Sequence, residues 1–196
     1  QLPTTNYQLP TTNYQLPTIP MVINYFGNGC FRLQSGELSV LIDPEGNRLK
    51  ADVTLFTSAA LNEGEVFPQD VINFPGEYEA HGIEIDGMEI SDEASESDVK
   101  TAYLVRMEDI RVGILGDISK IPPADILERM EEPDILILPM EGGKFLSATD
   151  ATKFAKQMDP AVVIPSRYKN IQDLQKAFEQ KPEVQEKYVC KKKDLE

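Results

Sequence analysis

The sequence predicts an α/β domain, and three observations carry the prediction. Segments of strand periodicity fill residues 21 to 115. From residue 122 onward, helical and strand patterns alternate. The chain has 196 residues and 41% hydrophobic content, enough for one domain with a sizeable core. Residues 21–196 are read as that single domain, and residues 1–20 as a repetitive tail.

The tail is legible first. Gln1-Leu2-Pro3-Thr4-Thr5-Asn6-Tyr7 recurs intact from Gln8 to Tyr14 and begins again at Gln15. A seven-residue period would suit a coiled coil, but the proline in every repeat forbids that helix. Residues 1–20 therefore read as an appended, low-complexity segment, with Met21 opening the domain and Leu195-Glu196 as an added end. The tail is a candidate for an extra edge strand or for a contact with a neighbouring chain.

Within the domain, Val22 to Phe26 is a strand that runs into a Gly27-Asn28-Gly29 turn. Cys30 to Leu33 and Leu38 to Ile42 form a hairpin around Ser35-Gly36. Val53 to Thr57 is a buried strand. Ile83 to Ile90 alternates apolar and acidic residues, and the acidic stretch Ser91 to Asp98 is a loop. Thr101 to Arg106 pairs with Ile110 to Leu115. Pro122 to Met130 is a helix with proline at its start and Asp125 in its early turns. Asp134 to Pro139 is a strand. Ser147 caps a helix to Met158, with Asp150 three residues on. Ala161 to Pro165 is a strand, Asn170 to Gln180 a helix, and Val184 to Cys190 a closing strand or a frayed end.

Charge narrows the function classes. Nineteen basic and thirty-three acidic residues give a net charge of -14. That field repels phosphate backbones and anionic lipid, which disfavours nucleic-acid and membrane partners. Two distant cysteines, Cys30 and Cys190, make neither a disulfide framework nor a metal knuckle. No window approaches the ~18 apolar residues of a membrane span. A reduced, cytoplasmic protein is the expectation.

Several motifs then occur in order. Asn24-Tyr25-Phe26-Gly27-Asn28-Gly29-Cys30-Phe31 is followed by Leu41-Ile42-Asp43-Pro44 and Phe74-Pro75-Gly76-Glu77-Tyr78-Glu79. Leu115-Gly116-Asp117, Asp134 to Pro139, Gly142-Gly143 and Pro165-Ser166-Arg167-Tyr168 complete the series. This series resembles the metallo-β-lactamase superfamily, and within it the small intracellular branch similar to L-ascorbate-6-phosphate lactonase. The resemblance implies a four-layer αβ/βα sandwich and a hydrolase that holds zinc through histidines and carboxylates. Such a metal makes hydroxide from bound water near neutral pH.

The ligands that the resemblance implies are missing here. Its HxHxDH loop would follow Thr57, where this sequence reads Ser58-Ala59-Ala60-Leu61-Asn62-Glu63. The two leading histidines fall on Ser58 and Ala60, the aspartate on Asn62 and the third histidine on Glu63. The early histidine falls on Asn28 and the last on Arg167. A later histidine has no counterpart in Ser91-Asp92-Glu93. Only the bridging aspartate survives, as Asp117. His81 is the one histidine in the chain and lies where the family has no ligand, so it reads as an exposed or hydrogen-bonded side chain.

Ser58, Asn62, Glu63, Asp117 and Arg167 thus form the candidate vestigial cleft, with no catalytic residue assigned and no cofactor expected. Arg167 is expected within salt-bridge range of Asp117, a fixed guanidinium in place of the metal. Glu77 and Glu79, at i and i+2 of a strand, read as a solvated face, and Cys30 as a small buried hydrophobe.

Two functions follow. The first is a metal-free, non-catalytic homologue that binds a small molecule or a protein, or serves as a structural subunit; self-association stays open. The alternative is a hydrolase of a small phosphorylated or lactone-like substrate. It would use Glu63, Asn62, Asp117 and Asp92 as oxygen ligands, which suit Mg²⁺ or Mn²⁺ better than Zn²⁺.

Overall fold

The computed structural model describes residues 19–46, 48–61, 67–130, 132–179 and 181–196. The repeat up to residue 18, and with it the proposed edge strand, lies outside the described residues, as do Asn62 and Glu63.

The first half is strands. They are β1 (Met21–Gly27), β2 (Cys30–Ser35), β3 (Leu38–Ile42), β4 (Val53–Leu55), β5 (Ser58–Ala60), β6 (Val71–Ile72), β7 (Gly76–Ala80), β8 (Ile83–Glu89), β9 (Asp98–Met107) and β10 (Ile110–Ile114). Helices then alternate with strands: α1 (Ala124–Arg129), β11 (Ile135–Leu138), α2 (Ala148–Met158), β12 (Val162–Pro165), α3 (Ile171–Phe178) and β13 (Lys187–Cys190). The Ser91–Glu93 stretch, expected as loop, contains one 3-10 turn.

Two sheets result. One has the order β13-β1-β2-β3-β4-β6, the other β12-β11-β10-β9-β8-β7, with β5 pairing β9 off this path. The open choice at the C-terminus is resolved: β13 closes the first sheet, with Met21 opposite Cys190. Leu195, read from sequence as part of an added end, is buried in the core.

The period-two alternation of the strands sorts the core. Ile23, Leu33, Val40 and Leu55 from the first sheet meet Ile85, Val105, Val112 and Ile137 from the second. The opposite face of the second sheet, including Ala102, Leu104 and Leu136, packs on Ile126, Ala151, Phe154 and Leu174 of the three helices. This is the expected α/β sandwich of the metallo-β-lactamase type, two facing sheets with helices outside. All three helices lie on the second sheet. On the first sheet's outer face the Arg32 guanidinium donates to the Lys50 carbonyl at 2.7 Å, and Leu41 across from it is buried.

Local signals placed most ends well. The Ser147 hydroxyl accepts the Asp150 N–H at 3.1 Å and the Asn170 side chain accepts that of Asp173 at 2.9 Å, so both longer helices start where capping residues stand. α1 is shorter than expected, because Pro123 sits at its N-cap and leaves six residues of helix. The β1–β2 turn needs three left-handed residues, Gly27, Asn28 and Gly29, with φ of 92°, 49° and 80°. Glycine and asparagine are the residues that tolerate this.

Candidate functional site

The strands of both sheets end on one side of the sandwich, and the sequence-predicted residues gather there. Asp43 follows β3, Thr57 follows β4, Asp117 follows β10 and Arg167 follows β12. Parallel pairing of β10, β11 and β12, and of β3 and β4, brings those four ends to the same edge.

The expected contact between Arg167 and Asp117 is present, and in its strongest geometry. Arg167 Nε donates to Asp117 Oδ1 at 2.6 Å and one terminal nitrogen donates to Oδ2 at 2.7 Å. Such a two-point pair fixes both planes and is about twice as strong as a neutral hydrogen bond. The side chains are 22% and 31% exposed, so the pair is held mostly out of water.

Three further contacts hold Arg167 in place, two of them at its guanidinium. It lies 4.9 Å from the Phe145 ring centre, a cation–π contact. Gly29 lies against it: a Cβ there would stand 3.5 Å from the terminal nitrogen. The Arg167 carbonyl accepts the Met140 N–H at 2.7 Å, tying β12's end to the segment that carries Phe145. Asp117 holds the Arg167 proton more firmly than usual, raising its pKa above the ordinary value.

Beneath this pair lies a second carboxylate. Asp43 accepts the Thr57 N–H at 2.7 Å and the Thr57 hydroxyl at 2.5 Å. Burial raises its pKa from 3.8 to about 6, against the lowering effect of the two Thr57 bonds; the nearby Asp117 charge raises it further and Arg167 lowers it. Thr57 is itself pinned by Gly116, since a Cβ at Gly116 would lie 2.3 Å from the Thr57 hydroxyl oxygen. Sequence reading placed Asp43 and Gly116 in the family-like motifs but did not find this carboxylate's burial. It missed Phe145 altogether; no local pattern marks a phenylalanine that will meet a guanidinium from another strand.

Of the other expected residues, those that are described do not join the pair. Ser58 is exposed on β5, opposite Lys100 of β9, and no hydrogen bond links it to Asp117 or Arg167. Its strand pairing turns it away because Ala59, not Ser58, faces inward. Asn62 and Glu63 lie outside the described residues. Asn28 donates to Glu45 at 2.9 Å. His81 is exposed in the β7–β8 turn at φ 55°, and Glu77 and Glu79 are exposed as a solvated face. Cys30 and Cys190 are buried free thiols.

Zinc takes about four converging nitrogen, sulfur or oxygen donors. Among the described residues, no group of three or more His, Cys, Asp or Glu side chains converges that way. Asp117 has both oxygens engaged by a cation. The described residues do not fit a zinc ion.

Residues 22–167 match the model of the β-lactamase superfamily domain. The chain belongs to the metallo-β-lactamase superfamily. Among solved structures it is similar to a proposed zinc-dependent hydrolase of that superfamily from Thermotoga maritima. That match has 26% identity and a TM-score of 0.70, and covers 82% of this chain and 87% of the other. A metallo hydrolase of the archaeon Ignicoccus hospitalis matches at 15% identity and TM-score 0.67, over 87% and 98%. An isothiocyanate hydrolase from Delia radicum gut bacteria matches at 14% and 0.63, over 87% and 100%. The last two share the fold. No curated protein matches the chain. No helix among the described residues is long and apolar enough to cross a membrane.

Proposed function

We propose that this chain is a metal-free, non-catalytic member of its superfamily, a pseudoenzyme that acts as a cytoplasmic binding or structural protein. The Arg167–Asp117 ion pair carries the reading. The one family-type carboxylate in the described site is neutralised at both oxygens by a guanidinium. A dication entering about 4 Å from that guanidinium would meet repulsion of ~2 kcal/mol even in bulk water, and more in this half-buried site. Ser58, Ala60 and Asn28 offer no imidazole in compensation. The net charge of -14 argues for a small molecule or a protein as partner rather than nucleic acid or a membrane surface.

A second reading is favoured by the description of the Thermotoga maritima relative as a proposed zinc-dependent hydrolase. It would recruit Glu63, Asn62 and Asp92 around Asp117. Metal analysis after incubation with Zn²⁺ or Mn²⁺ and gel filtration separates the two. The expected result is below ~0.1 ion per chain and an unchanged melting temperature. Binding near one ion per chain, with a raised melting temperature that Asp117→Asn abolishes, would overturn the metal-free reading.

A further inference from the structure

The ion pair of Arg167 and Asp117 occupies the old metal edge. A cavity of about 700 Å³ opens instead on the side of the sandwich, between β12, the edge strand of one sheet, and β1 and β13 of the other. Its volume lies in the ~300–1,000 Å³ range of small-molecule sites. Aromatic and aliphatic side chains build its walls, among them Tyr25, Phe31, Ile164, Tyr168, Phe178 and Tyr188. The Tyr25 hydroxyl is already committed to the Ser166 carbonyl at 2.9 Å, and its ring lies 4.8 Å from that of Phe31. Tyr25 therefore shows the cavity a fixed ring rather than a polar tip.

The charges on the cavity wall decide the class of occupant. Three lysines, Lys156, Lys181 and Lys187, stand with three acids, Asp159, Glu183 and Glu186. They balance to zero, in a chain whose net charge is -14. An anion or a cation would meet as many like charges as opposite ones there, so charge favours neither. An uncharged ring system loses no ionic hydration on entry and gains the tyrosine and phenylalanine faces.

We infer that this side cavity is the protein's ligand site and that its ligand is a neutral, planar aromatic small molecule. The inference rests on the reading of the chain as a binding protein, but not on the absence of metal. It shares Tyr25 and Tyr168 with the neighbourhood of Arg167.

Titration with N-phenylnaphthylamine, a neutral fluorescent aromatic, tests it. The chain has no tryptophan, so its seven tyrosines are the only strong intrinsic emitters. Saturable binding of one dye per chain is expected, with tyrosine emission falling as dye emission rises. Ala161 is exposed and lines the cavity, so Ala161→Phe fills the space with little threat to folding. It should weaken the dye at least about tenfold. Val184→Asp, on the exposed rim, should weaken it too and serves if the first variant fails to fold. The anionic dye anilinonaphthalene sulfonate should bind more weakly than the neutral one. Non-saturable uptake, equal affinity in a folded variant, or preference for the anionic dye would overturn the inference. So would a dimer, seen by analytical ultracentrifugation, that excludes the dye and assigns the cavity to a second copy. Metal analysis is independent of these outcomes, so the failure of either reading is seen separately.

Discussion

Replacing Asp43 by asparagine should make the protein more tolerant of neutral and alkaline pH. The replacement is isosteric: an amide oxygen can take the Thr57 N–H and an amide NH₂ can donate to the Thr57 hydroxyl, keeping both bonds that Asp43 makes. What changes is the charge. The Asp43 pKa is raised from 3.8 in the open chain to about 6 in the fold. The sign follows from this. The folded state binds the proton more tightly, so the stability this group contributes is fully present below about pH 3.8. It is lost as pH rises toward and through about 6. The full difference is about 3 kcal/mol, of which about 2 kcal/mol is lost between roughly pH 4.5 and pH 7.5. Urea unfolding of parent and Asp43→Asn at those two pH values gives the comparison. The variant's stability relative to the parent should shift in its favour by about 2 kcal/mol at the higher pH. A relative stability that stays constant within about 0.5 kcal/mol would show that Asp43 is not a desolvated carboxyl and would refute the reasoning.

Other outcomes follow from the same site. Arg167→Met keeps volume but leaves Asp117 half-buried and unpaired. It should cost about 2 kcal/mol, between exposed pairs and fully buried ones. Asp117→Asn in the same background should recover part of that loss, and a coupling energy under about 0.5 kcal/mol in the double-mutant cycle would contradict the pairing. Arg167→Lys should rescue little, since an ammonium cannot hold both carboxylate oxygens in the same plane or stack on Phe145. Gly116→Ala should be the most damaging small change, because its Cβ would fall 2.3 Å from the Thr57 hydroxyl oxygen at a φ of 63°. A loss above about 3 kcal/mol, or failure to fold, is expected on thermal melting, and a melt within a few degrees of the parent would contradict that packing.

The sequence by itself determined the strand-rich first half, the alternating second half and the ends of the two longer helices. Each of these is written in periodicity or in a cap next to the element it starts, as with Ser147 and Asn170. It also determined the Arg167–Asp117 contact, because both residues stand at positions of a recognisable family pattern whose edges meet. Tertiary structure alone decided the rest. Ser58 was read as part of the site, yet β5's pairing with β9 exposes it; which side of a short strand faces in depends on a partner about forty residues away. The Asp43 pKa depends on its burial in the packed edge, opposed by two bonds from Thr57 at the end of another strand. Phe145 and the side cavity arise where segments distant in the chain come together, and distance in the chain leaves no local trace. Short-range sterics and hydrogen bonds can be read along the chain; desolvation and shape exist only once the sheets have packed.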